Sequence, residues 1–473
     1  MGPEVKQYSL THEVGMPKLW ISSLLALVAV APLSVTVELA ATTTTQNASE
    51  AFVVWAREHA LPIATSEPGR GFEDLQPLQE IIGNARIVGL GESVHGTHEF
   101  FQVRHRLMEF LVEEMGFTAF AGETGLVEAV RVNDYVLGRV ENLAFEDSEE
   151  VEALVRWMRR YNEDASHPRK LHFYGVDVHA WYTNPLAAIE GAWTYLDEVD
   201  PGYAAESRQA LLPLVEPWQG EGLGRASVEG RQRVDKYIRL PMEVRTAYTA
   251  AIADLVARFE TRRVDYLGRS SEDAYEWAYR HAIVARHLDN EFRAIASAGI
   301  PQEGPPFPAE AHIVRDRAMA DNLLWELERE GPEGRIVLWA HNGHLQKSPL
   351  VHGDMNMTSL GEFLDSMIGD DYVSVGFTYY QGADSGWPSY QTDIPNPPRP
   401  GSLDEAMARV GLPMFVLDLR SVPREGLAYE WLNQLRGHRI SVPEYMQLNP
   451  LQAWDALFYI ERISPVHVES RQR

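Results

Sequence analysis

The chain has no cysteine in 473 residues. That absence removes disulfides, thiolate metal sites, iron–sulfur clusters and cysteine nucleophiles together. Positive charge is also scarce. Lys and Arg number 42 against 68 Asp and Glu, a formal net charge of −26. So acidic a surface repels phosphate backbones, so no nucleic acid is expected as a partner. Phosphate-cradling motifs are missing as well: no G-x-x-x-x-G-K-[ST] occurs, and the Gly89-x-Gly91 pair is too short for a dinucleotide fingerprint. Two hydrolase signatures begin and stop. Gly91-Glu92-Ser93-Val94 is followed by His95 where a nucleophile elbow needs Gly, and His98-Glu99 meets Gln102 where H-E-x-x-H needs its second His. With hydrophobic residues at 45% and charged residues at 23%, a substantial core can form and wholesale disorder is excluded.

One long apolar run is present, Leu19 to Val37, preceded by Lys18 and followed by Ala40, Ala41 and Thr42–Thr45. A positive head, an apolar stretch and a small-residue exit are the parts of a secretory signal, and Met16 is an alternative start. A run of roughly 19–20 residues is also long enough to span a bilayer as an uncleaved anchor. Pro32 and the small residues favour cleavage. The expectation is therefore a secreted or periplasmic protein, membrane-anchored only if this segment is kept. Residues 1–45 are set aside as signal or anchor and tail.

Beyond them the sequence alternates short apolar runs with amphipathic stretches. Residues 51–59 read as a short helix. Ile87–Gly91 reads as a buried strand; Phe100, Val103, Leu107, Phe110, Leu111 and Met115 then recur at helical spacing, with Gly116 as a stop; Phe117–Gly122 reads as a strand again. Strand, helix, strand is a βαβ unit and implies a parallel sheet. Leu171–Val176, Arg335–Ala340, Tyr372–Thr378, Met414–Leu419 and Leu457–Ile463 extend the same grammar. Between Pro185 and Glu330 the chain is helical in pattern and rich in Ala, Leu, Glu and Arg. Pro301–Pro308 and Pro395–Pro400 read as loops. The expected architecture is α/β, a mostly parallel sheet with flanking helices and a helical insertion or cap: 46–184 and 331–473 as the two parts of the body, 185–330 as the cap. The aromatics Trp181, Trp193, Trp218, Tyr275, Trp277 and Tyr279 of that cap fit core packing better than a pocket floor.

Open parallel sheets bind ligands just outside the C-terminal ends of their strands. Four strand exits carry carboxylate or imidazole. Glu92 and His95 follow the first, Glu123 the second, Asp177 and His179 the third, His341 and His344 the fourth. A carboxylate beside an imidazole orients it and makes it a better base. Two imidazoles three residues apart after a buried strand can bind a metal or handle protons. Arg104, on the helix after His95, can hold a carboxylate or an oxyanion. Asp177 and His179 suit an ordinary polar strand-end loop and receive no role.

These segments together (ARIVGLGESVHGTHEFFQVRHRLMEFLVEEMGFTAFAGE over 85–123, FYGVDVH over 173–179, Arg315 to Asn322, and RIVLWAHNGH over 335–344) make the sequence resemble the erythromycin esterase-like family. The resemblance implies hydrolysis of a macrolide lactone ester by activated water, without a covalent acyl-enzyme and without a cofactor or metal. It implies His95 as general base with Glu92 beside it, a polar cluster completed by Glu123, His341 and His344, and Arg104 as a motif arginine of the first helix. The partner expected is thus a small-molecule ester or lactone. Two alternatives stay open: a metal-dependent hydrolase of another ester or phosphoester, with His95, His341, His344, Glu92 and Glu123 as an N/O ligand set, and an exported metal- or haem-binding protein.

Overall fold

The computed structural model describes residues 47–143, 148–219, 228–299, 308–382, 397–440 and 444–467. The apolar segment before Gln46, most of the Pro301–Pro308 loop and the start of the Pro395–Pro400 loop lie outside the described residues. The chain opens with helix α1 (47–59) and strand β1 (Leu61–Pro62), then α2 (Leu78–Ile82). The predicted βαβ unit follows as β2 (Ile87–Leu90), α3 (His98–Met115) and β3 (Ala119–Gly125). Helix α3 ends where the sequence places its stop. Gly116 takes φ 71° and its N–H bonds the carbonyls of Leu111 and Val112, a left-handed cap that glycine adopts without strain. Helices α4 (Leu126–Val136) and α5 (Glu149–Glu163) lead to β4 (His172–Asp177).

Five helices come next: α6 (Pro185–Val199), α7 (Pro201–Gln219), α8 (Val228–Ile238), α9 (Met242–Leu267) and α10 (Glu272–Ala298). They share an aromatic-rich core in which Trp193, Trp218, Tyr248, Phe259, Tyr275 and Phe292 are buried. Helix α11 (Ala309–Arg329) returns to the sheet, and its Asn322 amide donates to the Val176 carbonyl of β4 at 2.8 Å. The remaining strands and α-helices are β5 (Ile336–Trp339), α12 (Asn342–Leu345), β6 (Leu350–His352), β7 (Met355–Met357), α13 (Leu360–Ile368), β8 (Tyr372–Gly382), α14 (Leu403–Ala408), β9 (Met414–Asp418), α15 (Leu427–Leu432), β10 (Arg436–Arg439), β11 (Tyr445–Leu448), α16 (Pro450–Ala453) and β12 (Ala456–Ile463).

The main sheet has the order β1-β9-β12-β8-β2-β5-β3-β4. From β12 to β4 every neighbouring pair is parallel. β9 runs antiparallel to β12, and β1 antiparallel to β9. The sheet is thus mostly parallel with helices on both faces, as the sequence implies. β2 and β5 lie side by side at its centre with every residue buried, which is why each reads as an unbroken apolar run. Their alternate residues enter two cores on opposite faces: Val88, Leu90, Val337 and Trp339 in one, Ile87, Ile336 and Leu338 in the other. The connection leaving β2 packs α3 into the first core, and Leu345 after β5 enters the second. Adjacent strands whose connections part to opposite faces open a crevice beyond their carboxyl ends. A second, antiparallel sheet, β10-β11-β6-β7, was not apparent in the sequence.

Candidate active site

The turn after β2 carries the first carboxylate–imidazole pair. Glu92 is buried, and its Oε1 lies 2.5 Å from His95 Nδ1. Its Oε2 accepts from Arg104 Nη2 at 2.8 Å. Arg104 is itself buried from α3, its guanidinium 4.6 Å from the ring centres of both Phe101 and Trp339. Burial would raise the Glu92 carboxyl, but the Arg104 guanidinium and His95 more than offset it and the pKa is lowered. Burial would lower His95, but the Glu92 carboxylate wins and its pKa is raised. Glu92 therefore stays anionic and fixes Nδ1–H toward itself. His95 Nε2 makes no hydrogen bond among the described residues, and the side chain is 43% exposed.

The β5 exit meets this turn directly. Asn342 N–H donates to the Glu92 carbonyl at 2.8 Å, while its side chain pairs with the backbone of Phe377 in β8 through both O and N. Gly91 is required here, because a Cβ on it would come within 2.1 Å of Asn342 Oδ1. The close approach it permits is to this bridging amide. The rings of His95 and His341 are 5.0 Å apart. Both nitrogens of His341 are bonded to backbone: Nδ1 accepts from Gly343 N–H at 3.0 Å and Nε2 donates to the Ile440 carbonyl at 2.7 Å. That pattern fixes the neutral tautomer. Burial, with His95 nearby, lowers His341 to about 4.

His344 is the opposite case. Its Nδ1 faces both oxygens of Asp316 at 2.9 Å, and its Nε2 is 3.4 Å from Glu123 Oε1. Burial would lower it and Arg315, with Nη1 at 3.1 Å, works in the same direction, yet the two carboxylates raise it to about 10. That shift favours the protonated ring. Glu123 sits in β3 after a register shift and holds the group together: Oε1 accepts from Arg315 at 3.0 Å and Oε2 from His341 N–H at 2.9 Å. Despite burial its carboxyl lies well below the usual range, because His344, His95 and Arg315 face it. Asp177, fully buried at the end of β4, takes Arg315 in a bidentate pair at 2.8 and 2.7 Å and accepts from the Tyr182 hydroxyl at 3.0 Å.

Six residues expected at a shared mouth (Glu92, His95, Arg104, Glu123, His341 and His344) are therefore linked by direct contacts from β2 across β5 to β3. Arg315 and Asp316 of α11 belong with them, and Asp177 gains a partner. His179 borders this network, its ring centre 4.5 Å from that of Tyr182. Its Nδ1 lies 3.1 Å from Glu291 of α10. Burial pushes the His179 pKa well down and the Glu291 pKa well up, so an acid and a neutral imidazole join the β4 exit to the helical layer. A surface cavity of about 620 Å³ beside Tyr380, Arg409, Tyr459 and Glu461 contains none of the site residues. Among the described residues, the His and carboxylate side chains close enough together to hold one ion are His98, Glu150 and His467, a separate cluster.

A mostly parallel α/β sheet thus gathers carboxylate–imidazole pairs, groups able to handle protons, at its strand exits. Residues 112–463 match the erythromycin esterase family, and the chain belongs to that family, whose members are carboxylic ester hydrolases. It is 28% identical over 448 residues to erythromycin esterase type II of Escherichia coli, covering 87% of this chain and 98% of that protein. Its fold is similar to the crystal structure of a Bacillus cereus protein (TM-score 0.72, 24% identity, 89% of this chain and 99% of that one). It is also similar to a mutant of the erythromycin esterase EreC in its open conformation (TM-score 0.67, 19% identity, 85% and 97%).

Proposed function

We propose that the chain opens a macrolide-type lactone, or a related carboxylic ester, with water activated by His95. The observation that carries this reading is the Glu92–His95 pair with Arg104 behind it and Nε2 left open. Water bound at Nε2 gives up a proton as its oxygen attacks the ester carbonyl carbon. Glu92 stabilises the imidazolium so formed. The tetrahedral oxyanion needs a cation. His341 is committed to backbone and Arg104 to Glu92, so the charge comes from His344, whose Nε2 would exchange its long 3.4 Å contact with Glu123 for the oxyanion. The acyl–oxygen bond then breaks, and the alkoxide takes back the proton from His95. The product is a hydroxy acid one water heavier than the lactone. Glu123, Asp316 and Arg315 position His344. The macrolide class is supported by the name of the E. coli relative, and export by the apolar segment from Leu19 to Val37.

A mass-spectrometric screen of macrolides and simpler lactones for a gain of one water, run with and without chelator, tests the proposal. The expected outcome is chelator-insensitive ring opening that His95→Ala lowers by about 10²–10⁴-fold, the range of a general base. Undiminished turnover by folded His95→Ala overturns it.

A further inference from the structure

Three residues with no part in that chemistry converge just beyond the turn, at the start of α3. His98 is the first residue of α3, Glu150 the second of α5, and His467 lies in the tail beyond β12. His98 Nδ1 is 2.5 Å and His467 Nδ1 3.0 Å from the same Glu150 oxygen, Oε1. The two rings meet edge to face with centroids 4.6 Å apart, so their nitrogens approach from different directions. The three ligand atoms lie within 4.8 Å of one another. Glu150 Oε2 is buried and has no hydrogen-bond partner, although the side chain is only 5% exposed. Buried carboxylate oxygens are seldom left bare.

We infer that His98, Glu150 and His467 bind one divalent cation of the Zn²⁺ class. Two imidazole nitrogens and one carboxylate are the donor set zinc favours, and they supply three of its four positions. At zinc's bond lengths, ligand atoms around a tetrahedral ion sit about 3.3 Å apart, which these side chains reach by small rotations. His467, 60% exposed, leaves a side open for entry and for a water as fourth ligand.

The ion ties the tail to the catalytic turn. The tail already lies along it: His98 N–H donates to the Ser464 carbonyl at 2.8 Å, Val466 N–H to the Gly96 carbonyl at 3.1 Å, and Ser464 N–H to Glu99 at 2.6 Å. Metal on His98 and His467 fastens that strap three residues after His95. The inference does not depend on the esterase reading.

The test uses the full chain, stripped with chelator and dialysed against Zn²⁺, with bound metal measured by mass spectrometry and amide exchange followed over residues 464–467. One Zn²⁺ per chain and slowed exchange of the tail are expected. His467→Ala and Glu150→Gln should each weaken zinc binding about tenfold or more and abolish the slowing, with the metal-free rate of ester hydrolysis retained in His467→Ala. The exposed position of His467 makes that variant safe for folding. Absence of retained zinc overturns the inference. So does zinc held equally by His467→Ala, or zinc lost on His344→Asn with His467→Ala unaffected.

Discussion

At the scale of single residues, the candidate site separates imidazoles that sequence spacing leaves equivalent. His341 and His344 are three apart, yet one has both nitrogens on backbone and a lowered pKa, and the other lies between two carboxylates that raise its pKa. The difference is made by residues far along the chain, Ile440 and Asp316, and spacing carries no record of them. His95 is different again, since its partner Glu92 is local, and that pair was legible in the sequence. The pairing has a kinetic consequence. A general base works unprotonated, so kcat/KM rises with pH through the His95 pKa, which Glu92 holds above the ordinary value against burial. In Glu92→Gln the anion is gone and burial remains, so the acidic limb should move to lower pH while the plateau falls roughly 10²–10⁴-fold. A pH series of kcat/KM from 5 to 9 reads both effects. An unmoved limb would mean that the titrating base is some other group.

Arg315 and Asp316 mark where reading by residue stops. In sequence they belong to a charged helix, and charge on a helix usually faces water. Yet Ala311, Arg315, Ala318, Met319 and Asn322 share one face of α11, and all are buried. A charged residue at a core-facing position of an amphipathic helix was the available signal, and it points to a buried partner. That partner, Asp177, lies 138 residues away.

At the scale of elements, the parallel strands were legible because burial on both faces leaves them continuously apolar, as in IVGL and IVLW. The small sheet was not. β10 reads RGHR, and its neighbours are three or four residues long, too short for a period to emerge; their pairing is set by tertiary packing. The stretch between β1 and α2 shows another way to hold a segment. A buried arginine of α3 makes several of its fastenings, beside Glu109, which accepts from Gly69 N–H at 2.7 Å. Arg106 donates to Asp74 at 2.6 and 3.0 Å, to the Thr65 carbonyl at 2.9 Å and to the Gly71 carbonyl. Burial would raise the Asp74 carboxyl, but the Arg106 hydrogen bonds win and lower it. Arg106→Met should leave that half-buried carboxylate with only the Ala64 N–H and strip two carbonyls of their donor, lowering stability by about 1–3 kcal/mol. The exposed Arg70–Glu67 pair should matter little by comparison. Urea unfolding of Arg106→Met and Arg70→Met ranks them, and equal midpoints would show that the Arg106 cluster does not secure the segment.

At the scale of the whole molecule, an acidic surface surrounds an interior that holds several histidines without charge. His287, buried in α10 among Arg280, Arg286 and Arg317, is an example. Burial first and those guanidiniums second lower it to about 3. In the unfolded chain it titrates near 6.5. Above that pH neither state holds the proton and the group contributes nothing to the balance. Below it the unfolded chain binds a proton that the native state refuses, so stability falls as pH drops toward 3. Other buried groups pull the opposite way. Burial raises the carboxyls of Glu291 and Glu326, so the native state takes up protons that favour it as the solution is acidified. The raw dependence of stability on pH therefore mixes both signs. A difference between two proteins does not, because the shared groups cancel. His287→Leu keeps the apolar volume and removes the titration. The stability of the parent relative to His287→Leu should fall by about 1.4 kcal/mol for each pH unit between 6.5 and 4.5. Urea unfolding of both proteins at pH 7.5, 5.5 and 4.5 measures that gap, and a gap independent of pH would mean that the native interior accepts the proton on His287 after all.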